Sequence, residues 1–172
     1  MVYEQCENCG FDASLLSDEE LLSALDNLGP AWREHLVDAA SHLRTRPAPQ
    51  VWSAVEYAAH SRDITALHLF GVREALTGRE MDFGELPSDE LMTETARPYN
   101  DLTVEEILTT LSSDAVSMAG IARDAGVGTW ENGLRVGGQR QTVRQLLAHA
   151  LHDSRHHLVD IERNLVLLRA TL

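Results

Sequence analysis

The sequence of 172 residues has no lysine; all 14 of its basic side chains are arginine. A Schiff-base enzyme needs a lysine amine and a P-loop nucleotide binder needs a lysine on the phosphates, so both classes are excluded. Basic charge is scarce altogether. Fourteen basic against 27 acidic residues leave a net charge of −13, which repels phosphate backbones and anionic lipid surfaces. Neither nucleic acid nor membrane is an expected partner. Apolar runs extend only a few residues, far short of the ~20 that cross a bilayer, and no basic segment followed by an apolar one opens the chain. The expected location is the reducing cytoplasm.

Cysteine is nearly absent too. Cys6 and Cys9 form one C-x-x-C followed by Gly10. Tetrahedral zinc takes four ligands, so this is half a site, and no second C-x-x-C completes it. Two readings stay open: a free or disulfide-linked pair, and a metal knuckle completed by histidine or by a second subunit. No strand precedes the motif and no βαβ pattern follows, which weakens a thioredoxin-like reading.

What is present describes a folded, helical chain. Apolar residues make up 44% and charged residues 24%, and the length suits one domain with its own core. Ser17-Asp18-Glu19-Glu20, Thr103-Val104-Glu105-Glu106 and Thr142-Val143-Arg144-Gln145 each place Ser or Thr three residues before Glu or Gln, the pattern that satisfies the free amides of a helix start. Each is followed by apolar residues at helical spacing. Gly29-Pro30 should break the first segment, with a continuation through Leu43. A long helix from about Gln50 to Thr77 carries Trp52, Val55, Ala59, Leu67 and Phe70, with Gly78 as its cap. Residues 78–102 and the glycine-rich 126–141 read as long connections, without strand alternation. The expected fold class is all-α: a four-helix bundle over 17–172 behind a short N-terminal arm, 1–16, that bears the C-x-x-C.

The eight histidines are unevenly placed. His149, His152, His156 and His157 fall within nine residues of the last helix. Ligands four apart on a helix stand one turn above each other and can chelate one cation. Two such pairs compete, His152 with His156 and Asp153 with His157. With Val143 at zero and about 100° per residue, Leu147, Ala150, Ile161, Leu165 and Leu168 fall within about 40° of zero and define the buried stripe. His157 lands at about −40° and Asp153 at about −80°, at the stripe's edge, whereas His152 and His156 face away at about 180° and −140°. The periodicity therefore favours Asp153 and His157 as metal ligands. On the facing long helix His60, beside the Ile64 and Leu67 edge, is a better third ligand than His68.

These residues resemble the DinB/YfiT-like four-helix-bundle metalloproteins. The resemblance spans about residues 17–172 and rests on Ala59-His60-Ser61-Arg62-Asp63 and Asp153-Ser154-Arg155-His156-His157. It implies a metal held by His60, Asp153 and His157. The acid at Asp153 replaces a frequent histidine but matches the related mycothiol-dependent maleylpyruvate isomerases. It also implies zinc or nickel as the divalent ion, a homodimer, and transfer of a low-molecular-weight thiol to an electrophilic small-molecule substrate. A non-catalytic metal- or small-molecule-binding protein of the same family is the alternative. Two histidines and a carboxylate also suit non-haem iron. The arginine-only composition points to a GC-rich genome, for which the resemblance implies mycothiol as the thiol. Arg62, Arg140 and Arg155 are candidates to contact a substrate carboxylate, and Trp130 and Tyr99 to line a pocket mouth or cover the bundle end.

Overall fold

The structure, a computed structural model, describes residues 3–79, 81–84 and 97–170. Side chains that bind free amides start four of its helices. Ser17 and Glu20 exchange hydrogen bonds at the head of α1 (Asp18–Asp26), and Thr103 and Glu106 do so ahead of α4 (Val104–Ala125). At the start of α5 (Val143–Ala170), the Thr142 amide donates to Gln145 Oε1 at 2.9 Å and the Gln145 amide to Thr142 Oγ1 at 3.2 Å. A fourth box, Ser53 with Glu56, fixes α3 (Ala54–Leu76), which therefore begins four residues later than the apolar pattern suggested. Its Ser-x-x-Glu signal stands in the sequence at 53–56.

The first segment breaks at Asn27, ahead of Gly29-Pro30, and resumes as α2 (Leu28–Asp38), which ends five residues short of Leu43. Gly29 has a different task from the break assigned to it. A Cβ there would lie 2.4 Å from Ser112 Oγ, so its bareness lets α2 press against α4. The α1–α2 rod packs on α4 and α5, and α3 packs on the same two helices from the opposite side. This leaves α4 and α5 diagonal to each other. Trp32, Leu21, Leu25, Ile107, Leu111, Met118, Leu147 and Ile161 fill the space between, all essentially inaccessible to water. The result is the expected four-helix bundle.

Strands occur where loops were expected. β1 (Gln5–Cys6) pairs antiparallel with β2 (Phe11–Asp12), and β3 (Gly133–Val136) with β4 (Gln139–Thr142). The second hairpin turns at Gly137-Gly138, both at positive φ, the conformation that tight primed turns require. Its Leu134 is buried in the bundle core and its backbone bonds to Met81, Phe83 and Gly84. Most of the expected connection at 78–102 lies outside the described residues. No described helix is long and apolar enough to cross a membrane.

Candidate metal centre

α3 and α5 run antiparallel, with Trp52 beside Asn164 at one end and His68 beside His149 at the other. His60 therefore lies level with residues 153–157. The three residues expected from the sequence come together here. His60 Nε2 and His157 Nε2 each lie 3.6 Å from the same oxygen, Asp153 Oδ1, and the two rings meet edge to face at 5.1 Å. His60 is buried, at 8% exposure, whereas Asp153 and His157 are half-buried, their side chains 16% and 17% exposed.

Other side chains hold this cluster in place. Ser61 Oγ donates to the second Asp153 oxygen at 3.4 Å. Asp160 Oδ2 lies 3.0 Å from His157 Nδ1, so the nitrogen facing away from Asp153 is engaged and the ring orientation fixed. Trp52 stands 4.9 Å from His60, and Tyr57 the same distance from His157. The buried Asn164 amide donates to the Trp52 carbonyl at 3.0 Å and anchors that aromatic wall.

Electrostatics follow from this crowding. Burial alone would raise the Asp153 pKa, but the hydrogen bonds and positive charge of His157 and His60 hold the carboxyl well below the usual range. Burial disfavours charge on His157, yet Asp153 and Asp160 prevail and push it up to about 9. A carboxylate held between two imidazoles suits a divalent cation, which would take the place of the imidazole protons and keep the carboxylate as a ligand. Two imidazole nitrogens and a carboxylate oxygen, within 4.8 Å of one another, fit a divalent ion of the zinc or nickel kind in donor type and number.

The other candidates fall elsewhere. His152 and His156 point to the opposite flank of α5, toward the N-terminal hairpin, as the helical angles required. His68 bonds back to the Ile64 carbonyl. Arg62 is paired with Asp63, Arg155 lies over the Phe11 ring, and the exposed Arg140 binds the Glu131 carbonyl. Trp130 is buried and donates its indole N–H to the Ala122 carbonyl, so it covers the bundle end. Tyr99 donates its hydroxyl to Asp63. Sequence reasoning missed Asp160, Ser61, Trp52 and Tyr57 as supports. Asp160 was the most accessible of these, since i,i+3 from His157 puts it on the same face.

Two imidazoles and a carboxylate on facing helices of a four-helix bundle are the kind of donor arrangement from which bundle metal sites are made. The family follows from comparison: the chain belongs to the DinB superfamily, whose model matches residues 17–161. It is similar in fold to YfiT from Bacillus subtilis, described as a probable metal-dependent hydrolase with an unusual four-helix bundle topology. The TM-score is 0.72 at 14% identity, over 86% of this chain and 85% of that one. A comparison with curated proteins finds no match.

Proposed function

We propose that this protein is a divalent-metal-dependent enzyme whose cation, zinc or nickel, is held by His60, Asp153 and His157. In this reading it transfers a low-molecular-weight thiol such as mycothiol to an electrophilic small molecule. The observation that carries the metal reading is the convergence of three donor atoms from two helices on one enclosed point. Three protein ligands are the number typical of catalytic zinc, whereas structural zinc takes four.

A cation held there would lower the pKa of a coordinated thiol or water, supplying a nucleophile near neutral pH. The chain's residues do the rest. Asp160 orients His157 and fixes which of its nitrogens faces the centre, and Ser61 restrains the Asp153 carboxylate. Trp52 and Tyr57 shield one side from water and present an apolar wall to a substrate. Arg62, two residues beyond His60 and tied to Asp63 and Tyr99, is the carboxylate binder proposed on the α3 side of the cluster.

A second reading uses water instead of thiol, making the enzyme a hydrolase. The similarity to YfiT, a probable metal-dependent hydrolase, favours it. One assay series separates them. Zinc- and nickel-loaded protein is given mycothiol, bacillithiol or glutathione with a panel of epoxides and halides, and separately esters and amides without thiol. Thiol-dependent consumption supports transfer, and thiol-independent cleavage supports hydrolysis. A bound metal with neither activity contradicts both and leaves a metal-binding protein. A cytoplasmic homodimer is the proposed setting, and sedimentation of the purified chain tests the dimer.

A further inference from the structure

The C-x-x-C hairpin does not stand alone. Cys6 ends β1, Cys9 lies in the turn, and Gly10 at φ +72 brings the chain back into β2. That turn is closed by the Gly10 amide donating to the Cys6 carbonyl at 2.9 Å. Two further amides aim at sulfur, that of Cys9 at Cys6 and that of Phe11 at Cys9. The loop is thus wound around its thiols. It rests on the outer flank of α5, where Cys6 Sγ is 3.5 Å from His156 Nδ1 and one ligand atom of each of Cys6, Cys9, His152 and His156 lies within 4.8 Å of the others. Neither cysteine is in a disulfide.

We propose that Cys6, Cys9, His152 and His156 form a structural zinc site that fastens the N-terminal hairpin to α5. The spacing is the C-x₂-C and H-x₃-H of Cys2His2 zinc sites, with the histidines one helical turn apart. The histidines are set as ligands by what holds their far nitrogens. Glu4 Oε1 lies 2.6 Å from His152 Nδ1, placing the proton there and leaving Nε2 with its lone pair free. That Nε2 is buried, faces the Cys6 thiol and has no close hydrogen-bond partner among the described atoms. Zinc supplies the partner it lacks. Asp160 Oδ2 lies 3.8 Å from His156 Nε2, beyond hydrogen-bond reach, so its negative charge favours a proton on that nitrogen only at a distance, while Nδ1 faces Cys6. Phe11 stacks on the His152 ring at 5.0 Å and is itself buried, closing one side.

The chemistry balances. Zinc takes two thiolates and two neutral imidazoles, the two thiol protons pass to solvent, and the occupied site carries no net charge. Four protein ligands leave no position for substrate, so the role is to hold structure. The site shares no ligand with His60, Asp153 and His157, and it stands whether or not that cluster is catalytic.

Cobalt(II) is the probe, added to the chelator-stripped, reduced full-length chain. Thiolate-to-cobalt charge transfer and the intense ligand-field absorption of a tetrahedral ion are expected. Both should vanish in Cys9→Ser and His152→Ala, persist in His60→Ala, and be displaced by zinc. Bound zinc should slow alkylation of Cys6 and Cys9 by iodoacetamide at least tenfold, a readout taken on wild-type protein and so independent of any variant's folding. Absence of thiolate absorption in wild type with native helix content overturns the proposal. So does equal alkylation with and without zinc, or retention of the bands in both His152→Ala and His156→Ala.

Discussion

The two flanks of α5 carry ligand sets of opposite character within one helical turn of each other. Inward, toward α3, His60, Asp153 and His157 offer two nitrogens and an oxygen, bordered by Trp52 and Tyr57. Outward, toward the hairpin, Cys6, Cys9, His152 and His156 offer two sulfurs and two nitrogens. The inner set is one ligand short of a closed tetrahedron and the outer set completes one. On that difference in count and softness rest the proposed roles, an open centre for the inner set and a closed structural site for the outer. Asp160 connects them, with one oxygen, Oδ2, near both His157 Nδ1 and His156 Nε2. A single substitution there reaches both regions.

The strongest way to break the comparison is Asp153→Ala. It should weaken cation binding at the inner set by more than about 100-fold, beyond the ~10–100-fold that removing a supporting residue costs, and leave the thiolate–cobalt absorption intact. Competition with a chromophoric chelator measures the first and absorption the second. Loss of both together would mean that the flanks are one site.

Next in size is Glu56→Gln, which acts on the scaffold. Glu56 is buried, accepts from Arg46 Nε at 2.8 Å and from the Ser53 amide, and sets the start of α3 beside Tyr57. Removing its charge leaves Arg46 without its partner and should destabilise the fold by about 3 kcal/mol in urea unfolding. Burial raises the Glu56 pKa, but Arg46 and Ser53 outweigh it and hold the carboxyl below the usual glutamate range. A depressed folded value means that this stability is full above the ordinary glutamate pKa and is lost as pH falls through the lowered one. Glu56→Gln should therefore flatten the acid limb of the stability profile.

Smaller still is Asp160→Asn. It should cost about tenfold in affinity at the inner set through His157, with a lesser loss at the outer set. Equal tenfold losses at both would make Asp160 a shared support and blur the division. Arg155→Ala, which removes an exposed guanidinium over the Phe11 ring, should change stability by no more than about 0.5 kcal/mol and leave both metal contents unchanged. A larger effect would assign Arg155 to the outer site.

Much of the bundle and of the inner set was legible because it depends on local rules. Three capping boxes marked helix starts, and the 100° step separated Asp153 and His157 from His152 and His156 four residues at a time. The features that escaped depend on what meets across the fold. Gly137-Gly138 carried a turn signal, but β3 and β4 are four residues each and show no clear alternation to betray them. Gly29 looked like a helix breaker because only the approach of Ser112 reveals why the side chain is missing. The outward histidines seemed solvent-facing by periodicity, and nothing local brings a thiol 150 residues away to within 3.5 Å of His156.

The most direct test is the zinc content of chelator-stripped, zinc-reloaded wild type beside His60→Ala, measured by elemental analysis on protein of matched helix content. The account requires His60→Ala to hold one ion fewer per chain while the cobalt–thiolate absorption stays unchanged. Equal metal content in the two proteins would show that α3 contributes nothing to a cation site, and the inner centre would be refuted.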